Sequence, residues 1–196
     1  MEEYARPTTN YEPLTLRYFG DPVLRAPAQP VTAFDDVIHE LAGRMIATMQ
    51  AASGVGLAAQ QIGRTEAICV IGLPPEMDID ADGQPANSPE PMPLVLLNPH
   101  VTWVPESSWA REEGCLSFPE IEGKITRPWT IHVTYQDLQG QSQERTWHGM
   151  LARVVQHEVD HLNGVLFIDR MSHVKRLALK GRLKRLKEEY AEYPKP

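Results

Sequence analysis

The chain reads as an α+β fold: mostly antiparallel β-sheets packed around a central helix that bears an HExxH sequence, with a further helix at the C-terminus. Three observations point there. A helix-periodic segment over 33–51 precedes every strand-like segment. Short apolar or alternating runs then follow one another, separated by turn residues. Two more helix-periodic stretches, 148–163 and 172–190, close the sequence.

Taken in order, Phe34, Val37, Ile38, Leu41, Met45 and Met49 recur at helical spacing, and Thr32 with Asp35 resembles a capping box at the helix start. AICVIGL at 67–73 predicts a buried strand. Residues 74–93 hold six Pro and five acidic side chains and no base, which predicts a solvated acidic loop insertion, because strand-like LVLLNP resumes at once. Further strands are expected at 100–104, at 130–136 with clean alternation, and at 143–147, with Asp137–Gly140 as a turn. Gly164 is placed to stop the helix over 148–163. The final helix, 172–190, has Val174, Leu177, Leu179, Leu183 and Leu186 on or near one side.

At 196 residues, with 42% hydrophobic and 23% charged side chains, the chain suits one globular catalytic domain spanning 1–196 and excludes wholesale disorder. No apolar stretch is long enough to predict a membrane span, and the N-terminal sequence lacks a signal-peptide layout. Two cysteines, Cys69 and Cys115, make no disulfide framework and fit a reducing, cytoplasmic compartment. The net charge of −7 is uneven: residues 1–171 balance to −12 and residues 172–190 to +5. An acidic body argues against DNA binding, whereas a basic terminal helix remains able to touch a polyanion.

His157-Glu158-Val159-Asp160-His161 carries the chemistry. On a helix, i,i+4 spacing turns both imidazoles to one side, where they converge on one metal ion, and Glu158 can reach a water bound to it. Two surface histidines beside acidic neighbours are the plainer alternative. Met150 and Val154 continue that side toward the helix start and suggest apolar pocket walls. A catalytic metal needs a third protein ligand. The sequence matches the HExxHxxG extension and then has Phe167 where a third His would be required. Glu188 and Glu189 lie in the charged tail, and Asp169 is an outsider. Cys115, flanked by Gly114, Leu116 and Ser117, is the better candidate, whereas Cys69 sits in an apolar run and reads as a core side chain.

Two other patterns are decoys. Gly54-Val55-Gly56-Leu57-Ala58-Ala59 satisfies a dinucleotide fingerprint, but a helix precedes it and a strand follows, the reverse of what that site needs. The run from Asp78 to Gly83 opens like a calcium loop, yet flanking prolines leave only an Asp-Gly turn.

Three blocks in the same order, GVGLAAQQIG (54–63), EGCLS (113–117) and QHEVDHLNG (156–164), resemble the signature motifs of the peptide deformylases over roughly residues 14 to 170. The resemblance implies removal of the formyl group from N-formyl-methionyl nascent peptides, with one divalent metal, typically ferrous iron; zinc, nickel or cobalt are substitutes. It makes Cys115, His157 and His161 the ligands, Glu158 the proton shuttle for attack by metal-bound hydroxide, and Gln61 and the Leu116 N–H the oxyanion donors.

Beyond the resemblance, Gly54, Val55 and Gly56 offer a backbone that a peptide can approach as an added strand, and Met150 and Val154 are candidate walls for the methionine side chain. Glu113 and Arg127 are a candidate ion pair orienting the Cys115 loop. For an enzyme acting on nascent chains, the basic tail raises contact with the ribosome. Two other readings remain open, a zinc peptidase and a catalytically dead binding protein; the missing third His weighs against the first and the intact motifs against the second.

Overall fold

A computed structural model describes residues 11–104 and 108–191. The first helix, α1 (Asp36–Ala51), starts at Asp35, whose carboxylate accepts from the Val37 and Ile38 N–H groups. Asp35 is therefore the cap itself, and Thr32 lies outside the helix, contrary to the capping-box expectation. Ile38, Leu41, Ala42, Met45 and Met49 face the interior; Val37 does not and is 67% exposed.

Five strands form one antiparallel sheet: β1 (Gly56–Ala58), β2 (Ile68–Ile71), β3 (Leu94–Trp103), β6 (Thr130–Gln136) and β7 (Ser142–His148), in the order β1-β2-β3-β6-β7. A separate hairpin pairs β4 (Ser108–Gly114) with β5 (Glu122–Pro128). The HExxH helix, α2 (Gly149–Leu162), runs between the sheet and this hairpin. Strand β2 is apolar throughout because both its faces are covered: Ile68 and Val70 pack toward α1, Cys69 and Ile71 toward α2. Strand β6 alternates because one face is wet: Ile131, Val133 and Tyr135 pack toward α2, while His132 and Thr134 are exposed.

Three elements differ from expectation. The segments expected as two strands, at 94–99 and 100–104, are one strand with a bulge between Leu97 and His100; Asn98 sits there at φ 51, its amide bonded to both Val31 backbone groups and to Gln136. The β4–β5 hairpin was not legible, since among its described positions on β4 only Glu113 is fully buried and no apolar alternation marks it. The terminal helix is two, α3 (His173–Ala178) and α4 (Lys180–Glu189). Leu183 and Leu186 of α4 are buried, whereas Val174 and Leu177 of α3 are 76% and 59% exposed, so the apolar side does not continue across the break.

The acidic loop carries the Asp-Gly turn, with Asp80 Oδ1 accepting from Asp82 and Gln84 N–H. It also packs across the end of β7, where Asn87 bonds both backbone groups of His148 and Glu90 accepts from the Trp147 indole at 3.0 Å.

Candidate active site

Helix α2 begins directly after β7, with Gly149 at φ 60 making the corner. Two turns later, His157 and His161 come together with ring centroids 5.1 Å apart. Cys115 follows the end of β4 and brings its Sγ to 3.3 Å from His161 Nε2. One ligand atom from each of Cys115, His157 and His161 lies within 4.8 Å of the others. Both imidazoles are buried and the thiol is half-buried.

Behind the cluster lies a buried ionic network. His157 Nδ1 meets Glu113 Oε2 at 3.2 Å, so Nε2 is the ring nitrogen left for the cluster. Arg127 grips both oxygens of Glu113, through Nε at 2.8 Å and Nη2 at 3.0 Å, and donates its Nη1 to Asp160 at 2.8 Å. Arg153 also donates to Glu113 and holds the Ile125 and Trp109 carbonyls of the hairpin. Arg170 donates to both oxygens of Asp160, sharing Oδ2 with Arg127. Two hairpin residues, Glu113 and Arg127, are thus locked to α2 by charge-assisted bonds in a dry environment.

In front of the cluster a cavity of about 630 Å3 opens. Gln61 is fully enclosed: its Oε1 accepts from the Ala58 N–H at 2.8 Å, which turns its Nε2 toward Cys115 Sγ at 3.5 Å. Glu158 is 4% exposed, and its buried Oε2 has no hydrogen-bond partner among the described residues. The turn after Cys115, closed by Phe118 N–H donating to the Cys115 carbonyl at 2.8 Å, sets Leu116 on the cavity wall. Gly54, Val55, Gly56, Met150 and Val154 line the same space.

The glycines have a reason beyond the one expected. A Cβ on Gly56 would overlap Glu158 Oε1 and lie 2.9 Å from Val154 Cγ1, and one on Gly54 would lie 2.7 Å from Leu116 Cδ1. They admit neighbouring side chains of the site itself.

Electrostatics separate the carboxylates. Burial works to raise Glu113, but His157 and Arg127 outweigh it and hold it at about 2. On Glu158 burial outweighs the charges of His157 and Arg127, and pushes it up to about 7. Burial also opposes charge on His157, yet hydrogen bonds to Cys115 and Glu113 and the nearby Glu158 raise it to about 10. Burial and the charge on His157 push His161 well down. A thiolate and two imidazoles, with carboxylates around them, are a donor set suited to a divalent transition metal, so the residues present fit such an ion.

A family model described as polypeptide deformylase matches residues 13–177. The chain belongs to that family. A peptide deformylase of Opitutus terrae is 47% identical over 177 residues, covering 88% of this chain and 92% of the relative. One from Synechocystis is 43% identical, covering 85% and 83%. Among solved structures, a peptide deformylase from Synechococcus elongatus in complex with actinonin superposes with a TM-score of 0.73 at 40% identity, covering 87% of this chain and 88% of that one. The chain is accordingly a metallohydrolase of this class, acting on N-formyl-methionyl peptides.

Nearly all sequence-predicted site residues meet in one place: Gly54, Val55, Gly56, Gln61, Glu113, Cys115, Leu116, Met150, Val154, His157 and Glu158 border the cavity, with His161 on the cluster and Arg127 behind it. Asp169 is no ligand candidate in the fold, since its carboxylate takes the Leu166 N–H, Arg25 and Arg176. Sequence reasoning missed Arg153, Asp160 and Arg170. The first two lie four before and three after His157 on α2, so helical spacing was the available signal.

Proposed function

We propose that Cys115, His157 and His161 hold one divalent cation and that Glu158, Gln61 and Leu116 carry out the deformylation around it. Their convergence on one cluster and the cavity before it, with a buried Glu158 oxygen that has no partner among the described residues, is the observation that supports this most directly. A cation held there supplies Lewis acidity and lowers the pKa of water. Glu158 accepts a proton at its partner-free oxygen and delivers one to the amine that leaves. The Gln61 amide, held by Ala58, and the Leu116 N–H donate to the carbonyl oxygen as charge develops there. Glu113, clamped by Arg127, orients His157.

The substrate lies along β1, an edge strand of the sheet, and pairs with its backbone, while Met150 and Val154 receive the methionine side chain. Ferrous iron is the metal the resemblance favours, with zinc, nickel or cobalt as substitutes, because a Cys/His2 donor set accepts all of them. Residues 1–196 act as one catalytic domain in the cytoplasm. Among the described residues no helix is long and apolar enough to cross a membrane. The exposed Lys175, Lys180, Lys184, Arg185 and Lys187 of α3 and α4 form a basic face suited to ribosomal contact.

Anaerobic hydrolysis of formyl-Met-Ala-Ser by metal-loaded protein tests the centre. Glu158→Gln is expected to lose activity by roughly 10²–10⁴-fold while still binding one metal ion. Unchanged turnover in that variant overturns the assignment of Glu158. Cosedimentation with ribosomes, lost on charge reversal at Lys180 and Lys184, tests the basic face.

A further inference from the structure

The terminal helix backs part of the cavity lining. That part includes Leu16, Tyr18, Phe118, Glu120 and Ile121. Helix α4 meets it at three separate points. Leu183 and Leu186 are buried in the same apolar cluster as Phe118 and Ile121. Tyr190 stacks on Tyr18, with ring centroids 3.8 Å apart and planes 23° from parallel. Arg182 donates to the carbonyl of Glu120.

Glu120 is not an incidental anchor. Its φ of 59 lies in the left-handed region, where a residue with a Cβ stays only if its surroundings hold it. The turn from Phe118 to Ile121, closed by a 3.1 Å backbone bond, and the Arg182 contact are what hold it. Tyr18 sits on a segment whose neighbours are tied to the site: Arg17 N–H donates to the Gln61 carbonyl at 2.7 Å and Phe19 N–H to the Ser117 carbonyl at 3.0 Å. The two halves of this wall, 16–19 and 118–121, are therefore spanned from outside by one short helix.

We infer that Tyr190 and Arg182 are positioning residues for substrate binding: through Tyr18 and Glu120 they set the width of the cavity where the peptide beyond formyl-methionine lies. The inference rests on the proposal that this cavity holds the peptide. It separates the duty of α4 from the chemistry, since neither residue lines the cavity or touches the Cys/His cluster. A loosened wall weakens peptide binding uniformly, in ground state and transition state alike, which raises KM and spares kcat.

The test uses the full chain, metal-loaded, with steady-state kinetics on formyl-Met-Ala-Ser. Tyr190→Ala and Arg182→Ala are expected to raise KM roughly three- to tenfold, the span that loss of an aromatic pair corresponds to, with kcat within twofold. Tyr190→Phe keeps the stacked ring and is expected to bring KM back toward the wild-type value. Arg182 is exposed, so its truncation removes one donor without opening the core, and thermal melting confirms that both variants remain folded. Unchanged KM in both folded alanine variants overturns the inference, as does a loss of kcat with KM preserved. Absence of turnover in the wild type would instead strike the assignment of the cavity and its metal centre.

Discussion

Glu113 faces His157 Nδ1 with the same carboxylate that Arg127 grips at both oxygens. The imidazole is thereby oriented by a group that is itself fixed, and the fixing group sits on a different element from the ring it orients.

Neutralising that carboxylate should weaken the metal site. Glu113→Gln is expected to lower metal affinity by roughly 10–100-fold, read by competition with a chromogenic chelator. Breaking the clamp should act on the fold. Arg127→Met leaves Glu113 with Arg153 and Asp160 with Arg170, each one cation short in a dry environment, at a cost of up to about 3–5 kcal/mol in unfolding free energy by urea denaturation. An Arg127 variant with full stability and full activity would refute the role given to this ion pair.

Gly56 should tolerate no side chain. The space a methyl would occupy belongs to Glu158 and Val154, and β1 is held in register by Gly56 opposite Ile71. Gly56→Ala is expected to displace the Glu158 carboxylate and reduce kcat by roughly 10²-fold, with a melting temperature lowered only slightly. If kcat instead matches the wild type, the glycine has no bearing on the carboxylate.

Asp169 should lend the fold a pH-dependent increment. Burial works to raise its pKa, but Arg25, the Leu166 N–H and Arg176 outweigh that and hold it below its usual value. A carboxyl depressed in the folded state stabilises at pH values above its unfolded pKa, about 3.9, and the increment is lost as pH falls through that value and then through the folded one. Asp169→Asn is thus expected to cost about 1–2 kcal/mol at pH 7, from the lost charge-assisted bonds to Arg25 and Arg176, and the gap from wild type should narrow as pH falls below about 3.9. A gap that is constant from pH 7 to pH 3 would show that the carboxylate charge contributes nothing.

Local pattern alone was enough for what depends on near neighbours. Helical spacing marked α1 and α2, alternation marked β6, and HExxH placed His157 and His161 on one side of a helix, with Glu158 next to them, before any contact was known. The motifs also singled out Cys115 and Gln61, residue types whose chemistry a metal site or an oxyanion needs. The β4–β5 hairpin escaped notice because ionic contacts on its buried side replace the apolar alternation that reveals strands. Arg153 escaped for a related reason: an arginine inside a helix reads as a solvated residue until its partner, 40 positions away, is folded against it.

By itself, then, the sequence singled out the side chains proposed to do the chemistry and determined the helix that presents His157, Glu158 and His161. The tertiary structure alone decided their convergence, since Cys115 reaches His161 across 46 positions only when the hairpin docks on α2. It also decided the break of the tail at Leu179 and the seating of α4 against the cavity wall. The division is physical. Periodicity records which face a residue turns inward, but which distant surface meets that face is set by packing and by charges that must find partners once water is excluded.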